Sequence, residues 1–104
     1  MRVEYVDDQL RRLAEDRSFR PTLWEADLIR AYRKRIQSLH AAKNDRDLRA
    51  LRGLRLERAP ENREDAFTMR LNDDFRLILT FKIEDCPVAV VLKVAKNHQR
   101  GARR

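Results

Sequence analysis

The chain has 104 residues, 24 of them Lys or Arg against 17 Asp or Glu, for a formal charge of +7, with two glycines and one cysteine. That length supports one small domain and excludes a two-domain enzyme. No stretch approaches the roughly 18 uninterrupted apolar residues of a spanning helix. Gly53 and Gly101 stand alone, so no glycine-rich phosphate loop is expected. The MRVEYVDDQL start lacks an apolar leader and Cys86 cannot form an internal disulfide; a cytoplasmic protein without a membrane partner is expected.

In chain order, Val3 to Val6 reads as a short strand, followed by Asp7 and Asp8 as candidate N-caps of a helix whose inward positions are Leu10, Leu13 and Ala14. Arg20-Pro21-Thr22 interrupts, because the residue before a proline is pushed out of the helical region. Thr22 and Glu25 have the spacing of a capping box opening a long helix with the apolar stripe Trp24, Leu28, Tyr32, Ile36 and Leu39. Trp24 and Tyr32 read as helix-packing aromatics rather than stacking platforms for bases. Asn44 to Arg52 predicts a short third helix or helical turn, with Leu48 and Leu51 inward and Gly53 as its C-terminal cap.

There the period changes from helical to alternating. Leu54 and Leu56 suggest a first strand before a loop through Ala59-Pro60-Glu61-Asn62. Phe67, Met69 and Leu71, then Phe75, Leu77, Leu79 and Phe81, alternate with other residues on either side of the turn Asn72-Asp73-Asp74. A second turn, Glu84 to Pro87, leads to the apolar run Val88 to Ala95, as expected of a strand covered on both faces. Helices followed by an antiparallel meander predict an α+β domain over residues 1–98, with two to three helices packed on one sheet, and a basic tail over 99–104.

The positive charge is segregated. Leu28 to Arg58 holds ten basic and three acidic residues, and Lys93 to Arg104 five basic and none acidic, so the remainder is net negative. A basic face attracts polyanions, nucleic acid foremost; a solvated Arg-rich surface is the competing reading.

The predicted hairpin concentrates that charge. For Phe67, Met69 and Leu71 to share a face with Phe75, Leu77 and Leu79, paired residue numbers must sum to an even value, since a one-residue slip turns every side chain over. A three-residue turn through Asn72, Asp73 and Asp74, with one of them in the left-handed conformation, sets Arg70 directly opposite Arg76. Like charges across a strand pair destabilise by up to about 1 kcal/mol. An anion should offset them: a loop carboxylate such as Glu57 or Glu64, or an external phosphate among Arg58, Arg63 and Lys96. His98, a few residues beyond the last strand, has an imidazole suited to proton transfer at neutral pH. Cleavage of RNA by its own 2′-OH needs a base, an acid and cations for the developing charge, and no metal. The His and Cys residues lack metal-ligand spacing, no cofactor is expected, and neither Ser18, Ser38 nor Cys86 has a nucleophile's partners.

The ordered segments YRKRIQSLHAAKNDRDLRAL, LRLER and AFTMRLNDDFRLIL, with an apolar strand ending before Asn97-His98, resemble the HigB branch of the RelE/ParE toxin superfamily, the plasmid maintenance system killer proteins. Asn62-Arg63, Phe67-Thr68, Arg70-Leu71-Asn72 and Phe75-Arg76-Leu77 carry its most specific part. The resemblance implies the toxin of a type II toxin–antitoxin module, a metal-independent, ribosome-dependent endoribonuclease cutting mRNA in the A site. It implies a HigA-like helix-turn-helix antitoxin, and operator DNA bound only through the toxin–antitoxin complex. Arg70, Arg76 and His98 match catalytic positions; Arg58, Arg63, Lys93 and Lys96 are expected to contact RNA. Pro60, Phe67 and Lys96-Asn97 depart from the family pattern, where a loop lysine, a tyrosine and Asp-Tyr are common. The alternative is an attenuated or non-catalytic toxin that binds RNA or the ribosome, or that inhibits a topoisomerase in the ParE manner.

Overall fold

The computed structural model describes residues 1–59 and 65–97. Strand β1, Arg2–Tyr5, leads into helix α1, Asp8–Glu15, where the Asp7 carboxylate accepts the Leu10 amide at 2.9 Å as an N-cap. Leu10 and Leu13 point inward and are buried. Helix α2, Ala26–Ala41, buries Leu28, Ile29, Tyr32, Ile36 and Leu39. Trp24 packs its edge on the Tyr32 ring at 5.7 Å and 81°, and the Tyr32 hydroxyl donates to the Leu10 carbonyl at 2.8 Å, joining the two helices.

The expected capping box at Thr22 does not form. The Trp24 amide closes a turn on the Pro21 carbonyl, so the helix begins one turn later, after Glu25, which makes no side-chain cap. The third helix, α3, is Asp45–Arg49, capped by the Asn44 carboxamide oxygen, which accepts the amides of Arg46 and Asp47. Leu48 is fully buried, but Leu51 is exposed, because the helix has ended before it. Gly53 is not its cap either: it lies in a 3-10 turn, Arg52–Leu54, and the left-handed residue is Arg55, at φ 50°. The expected first strand shrinks to Glu57–Arg58, β2, since that turn takes up Leu54.

Strands β3, Ala66–Arg70, β4, Phe75–Ile83, and β5, Pro87–Lys96, complete a five-stranded sheet of order β1-β5-β4-β3-β2. All neighbouring pairs are antiparallel except β1, which runs parallel to β5 with Val3 opposite Ala89 and Tyr5 opposite Val91. That pairing places β5 inside the sheet, which is why its first half is so apolar. The helices cover one face, where Met69, Leu71, Leu77, Leu79, Ala89 and Val91 meet Leu13, Tyr32, Ile36, Leu39 and Leu48 in one core. Among the described residues no helix is long and apolar enough to cross a membrane.

Candidate functional site

The β3–β4 register pairs Phe67 with Leu79, Met69 with Leu77 and Arg70 with Arg76, as the alternation requires. Met69 and Leu77 turn toward the helices, so Arg70 and Arg76 stand together on the opposite face. The two arginines are held differently. Arg76 is only 9% exposed, and its guanidinium donates to the Lys96 carbonyl at 2.8 Å. The Arg70 side chain is 39% exposed and forms an ion pair with Asp73. A loop carboxylate, as one of the two readings expected, thus faces Arg70, and it comes from the turn itself, at Asp73.

No turn residue is left-handed, contrary to expectation. The Asn72 carboxamide oxygen accepts the amides of Asp74 and Phe75, both at 2.8 Å, and closes the loop without one. Asn97 braces it from the end of β5: its backbone amide donates to the Asp74 carbonyl at 2.7 Å, and its side-chain amide to the carbonyls of Asp73 and Asn72 at 2.8 and 3.3 Å. Behind the strand end, Arg35 of α2 donates to the Arg70 carbonyl at 2.8 Å. Burial, and then the charge of Arg70, shift the Arg35 guanidinium below its ordinary pKa.

The supporting cations separate by face. The β4–β5 register jumps between Ile78, opposite Lys93, and Leu79, opposite Val91, so Leu92 is an extra residue. This bulge reverses the parity of everything after it. Lys93 therefore shares a face with Arg76, whose partner is Ala95, and is exposed. Lys96, opposite Phe75, turns instead to the helical side, beside a cleft that also includes Leu23, Leu28 and Asp74. Its contribution to the arginine pair is a carbonyl, not an ammonium. Arg58 lies opposite Phe67, with its guanidinium carbon 5.7 Å from that ring's centroid, again on the helical side, and Arg49 sits equally far from the same ring. The gathering of Arg58 and Lys96 around the pair is thus not what the register produces. Arg63 and His98 lie outside the described residues.

Three contributors were not anticipated from the sequence: Asp73, Asn97 and Arg35. Only Asp73 had a local signal, a carboxylate three residues after Arg70 and within the turn. Far from this site, at the other end of the same face, Arg2, Glu4, Lys82 and Glu84 form a mixed-charge network with Lys82–Glu84 at 2.9 Å and Lys82–Glu4 at 3.0 Å. The Glu84 carboxyl is held below its usual range by Lys82 and then Arg2. One end of this face thus holds the opposed arginines, with Asp73 paired to Arg70 and Lys93 on the same side, and the other a four-residue mixed-charge network.

A family model, described as the RelE-like toxin of the type II toxin–antitoxin system HigB, matches residues 3–94. No curated protein matches the chain significantly.

Proposed function

The chain belongs to the HigB-like family of RelE-like toxins of type II toxin–antitoxin systems, and from that premise we propose that it acts in the cytoplasm as a ribosome-dependent endoribonuclease that halts translation by cutting mRNA. The observation that carries the reading is the pair of guanidiniums, Arg70 and Arg76, set across one strand pair on the sheet face opposite the described helices. A phosphodiester presents two non-bridging oxygens to such a pair, and an arginine fork matches them. Arg76, buried and fixed by the Lys96 carbonyl, suits the charge that develops at phosphorus during attack by the 2′-OH, because a preorganised cation needs no reorganisation then. Arg70 suits binding and orientation of the strand, with Lys93 on the same face drawing in the backbone. His98 is assigned proton transfer and Arg63 electrostatic support, while Arg58 and Lys96 are assigned to RNA at the flanks of the site. As a type II toxin the protein is expected to pair with an antitoxin; a HigA-like helix-turn-helix protein, carrying the complex onto operator DNA, is the partner we propose.

The test is expression without the antitoxin, with transcript 5′ ends mapped. Growth arrest with new, codon-phased ends is expected, and Arg76→Ala should lower cleavage on purified programmed ribosomes by roughly 100-fold while the protein stays folded. Unchanged cleavage in that variant would remove Arg76 from the chemistry. Arrest without new ends, indifferent to His98→Gln, would instead support a toxin that binds without cutting.

A further inference from the structure

We propose that Asp73 is a built-in counterion: in the unliganded protein its carboxylate occupies the seat on Arg70 that an RNA phosphate takes, so that it lowers affinity and must pivot away on binding. The inference rests on the sheet face being a nucleic-acid site. Its structural basis is a contrast in what can move. The backbone of the turn is held from within by Asn72, which accepts the Asp74 and Phe75 amides, and from β5 by Asn97, which donates to the carbonyls of Asn72, Asp73 and Asp74. The Arg70 carbonyl is held from α2 by Arg35. The Asp73 side chain, by contrast, is 91% exposed and the Arg70 side chain 39%. An ion pair that open to water contributes little and exchanges freely. A fixed loop thus carries an anion on a free side chain, directly over the more accessible of two opposed arginines.

Charge bookkeeping makes the role useful to the free protein. Arg70 and Arg76 face each other across the strands, and Arg35 lies close enough for the charge of Arg70 to disfavour its own. Asp73 offsets the charge of Arg70 in the absence of RNA, until a phosphate replaces the carboxylate. The exchange costs the complex part of the attraction Arg70 would otherwise supply, and it leaves Asp73 near the incoming anion.

The experiment uses the full chain and ribosomes programmed with an mRNA blocked at the 2′-OH groups of its A-site codon, so that binding is read apart from cleavage. Asp73→Asn should bind about 2- to 5-fold more tightly than the wild-type protein, in proportion to one exposed ion pair. Its affinity should fall more steeply with salt, by about 0.7 in the logarithmic slope, as one more free cation predicts. Asp85→Asn makes the same charge change in the turn at the other end of β4 and should leave affinity within about 1.5-fold, as expected for a distant, screened charge. In an Arg70→Ala background the gain from Asp73→Asn should vanish. Asp73→Ser should reproduce the gain, which separates the lost charge from any effect of Asn on the turn. An Asp73→Asn protein no tighter than wild type, an equal gain from Asp85→Asn, or a gain surviving without Arg70 would overturn the counterion role alone. Failure of the wild-type protein and every variant to bind would overturn the nucleic-acid reading and this inference with it.

Discussion

Single arginines in this chain do very different work, and their hydrogen bonds separate them. Arg33 of α2 donates to the carbonyls of Leu13 at 2.8 Å and Asp16 at 3.2 Å, acceptors that the end of α1 leaves without intrahelical partners, and to that of Phe19 at 3.3 Å in the segment that follows. Arg30, three residues earlier, makes an exposed pair with Asp27 at 2.7 Å. Arg33→Ala is expected to destabilise the fold by about 2 kcal/mol, the scale of charged hydrogen bonds lost from half-buried carbonyls. Arg30→Ala should change stability by less than about 0.5 kcal/mol. Urea unfolding of the two variants checks this, and equal effects would mean that the carbonyl contacts carry no stability. The same sorting reduces the basic stretch from Leu28 to Arg58 as an RNA surface, since Arg33 and Arg35 serve the fold and Arg30 and Arg49 are paired on their own helices.

Elements are placed by where their caps and bulges fall. Residues 50 to 55 show how a composition cue can mislead: a glycine after an apolar helix looks like a left-handed cap, yet the chain turns left-handed at Arg55. Gly53 has negative φ, and a Cβ added there meets nothing within 4 Å. Gly53→Ala should therefore stabilise the protein by about 0.4–1 kcal/mol through the entropy of the unfolded chain. A loss of stability in thermal or urea unfolding would mean that the position does need glycine. In β5 the extra residue Leu92 has a larger consequence, because it sends Lys93 toward the arginine pair and Lys96 away from it. A bulge leaves the apolar run Val88 to Ala95 reading as an uninterrupted strand, so the faces of the residues after it could not be assigned from alternation.

At the scale of the whole molecule, the sheet divides the protein into a helix-covered side that holds the core and an opposite side where Thr68, Ile78 and Val88 are also buried and charged groups gather toward the ends. Stability on the covered side carries its own pH signature. Burial, and then Glu15, push the Tyr5 hydroxyl from its ordinary value of 10.0 up to about 12, and burial raises Tyr32 further. A raised folded-state pKa means that the unfolded chain releases its protons first. The contribution is therefore intact below pH 10 and is lost as pH rises through about 12. Denaturant unfolding at a series of pH values should show a decline setting in above pH 10, less steep in Tyr5→Phe; identical profiles would show that Tyr5 is not linked to folding.

The hairpin is where the sequence was most informative about this molecule. Alternation of Phe67, Met69 and Leu71 with Phe75, Leu77 and Leu79 is a local, period-two property, and it was enough to fix the register and so to bring Arg70 opposite Arg76. The order of helices and strands, the inward stripe of α2 and the cap at Asp7 were legible for the same reason, since each depends on residues within one turn or one strand. What the tertiary structure alone decided are the encounters between distant segments. These are β1 lying parallel to β5, the bulge at Leu92, Arg35 reaching the Arg70 carbonyl, and Asn97 bracing a turn 25 residues earlier. Local periodicity states which side of an element is apolar, but not which buried carbonyl a guanidinium or amide will meet. That depends on how whole surfaces come together, and it is there that Arg76 is fixed and Arg70 is left exchangeable.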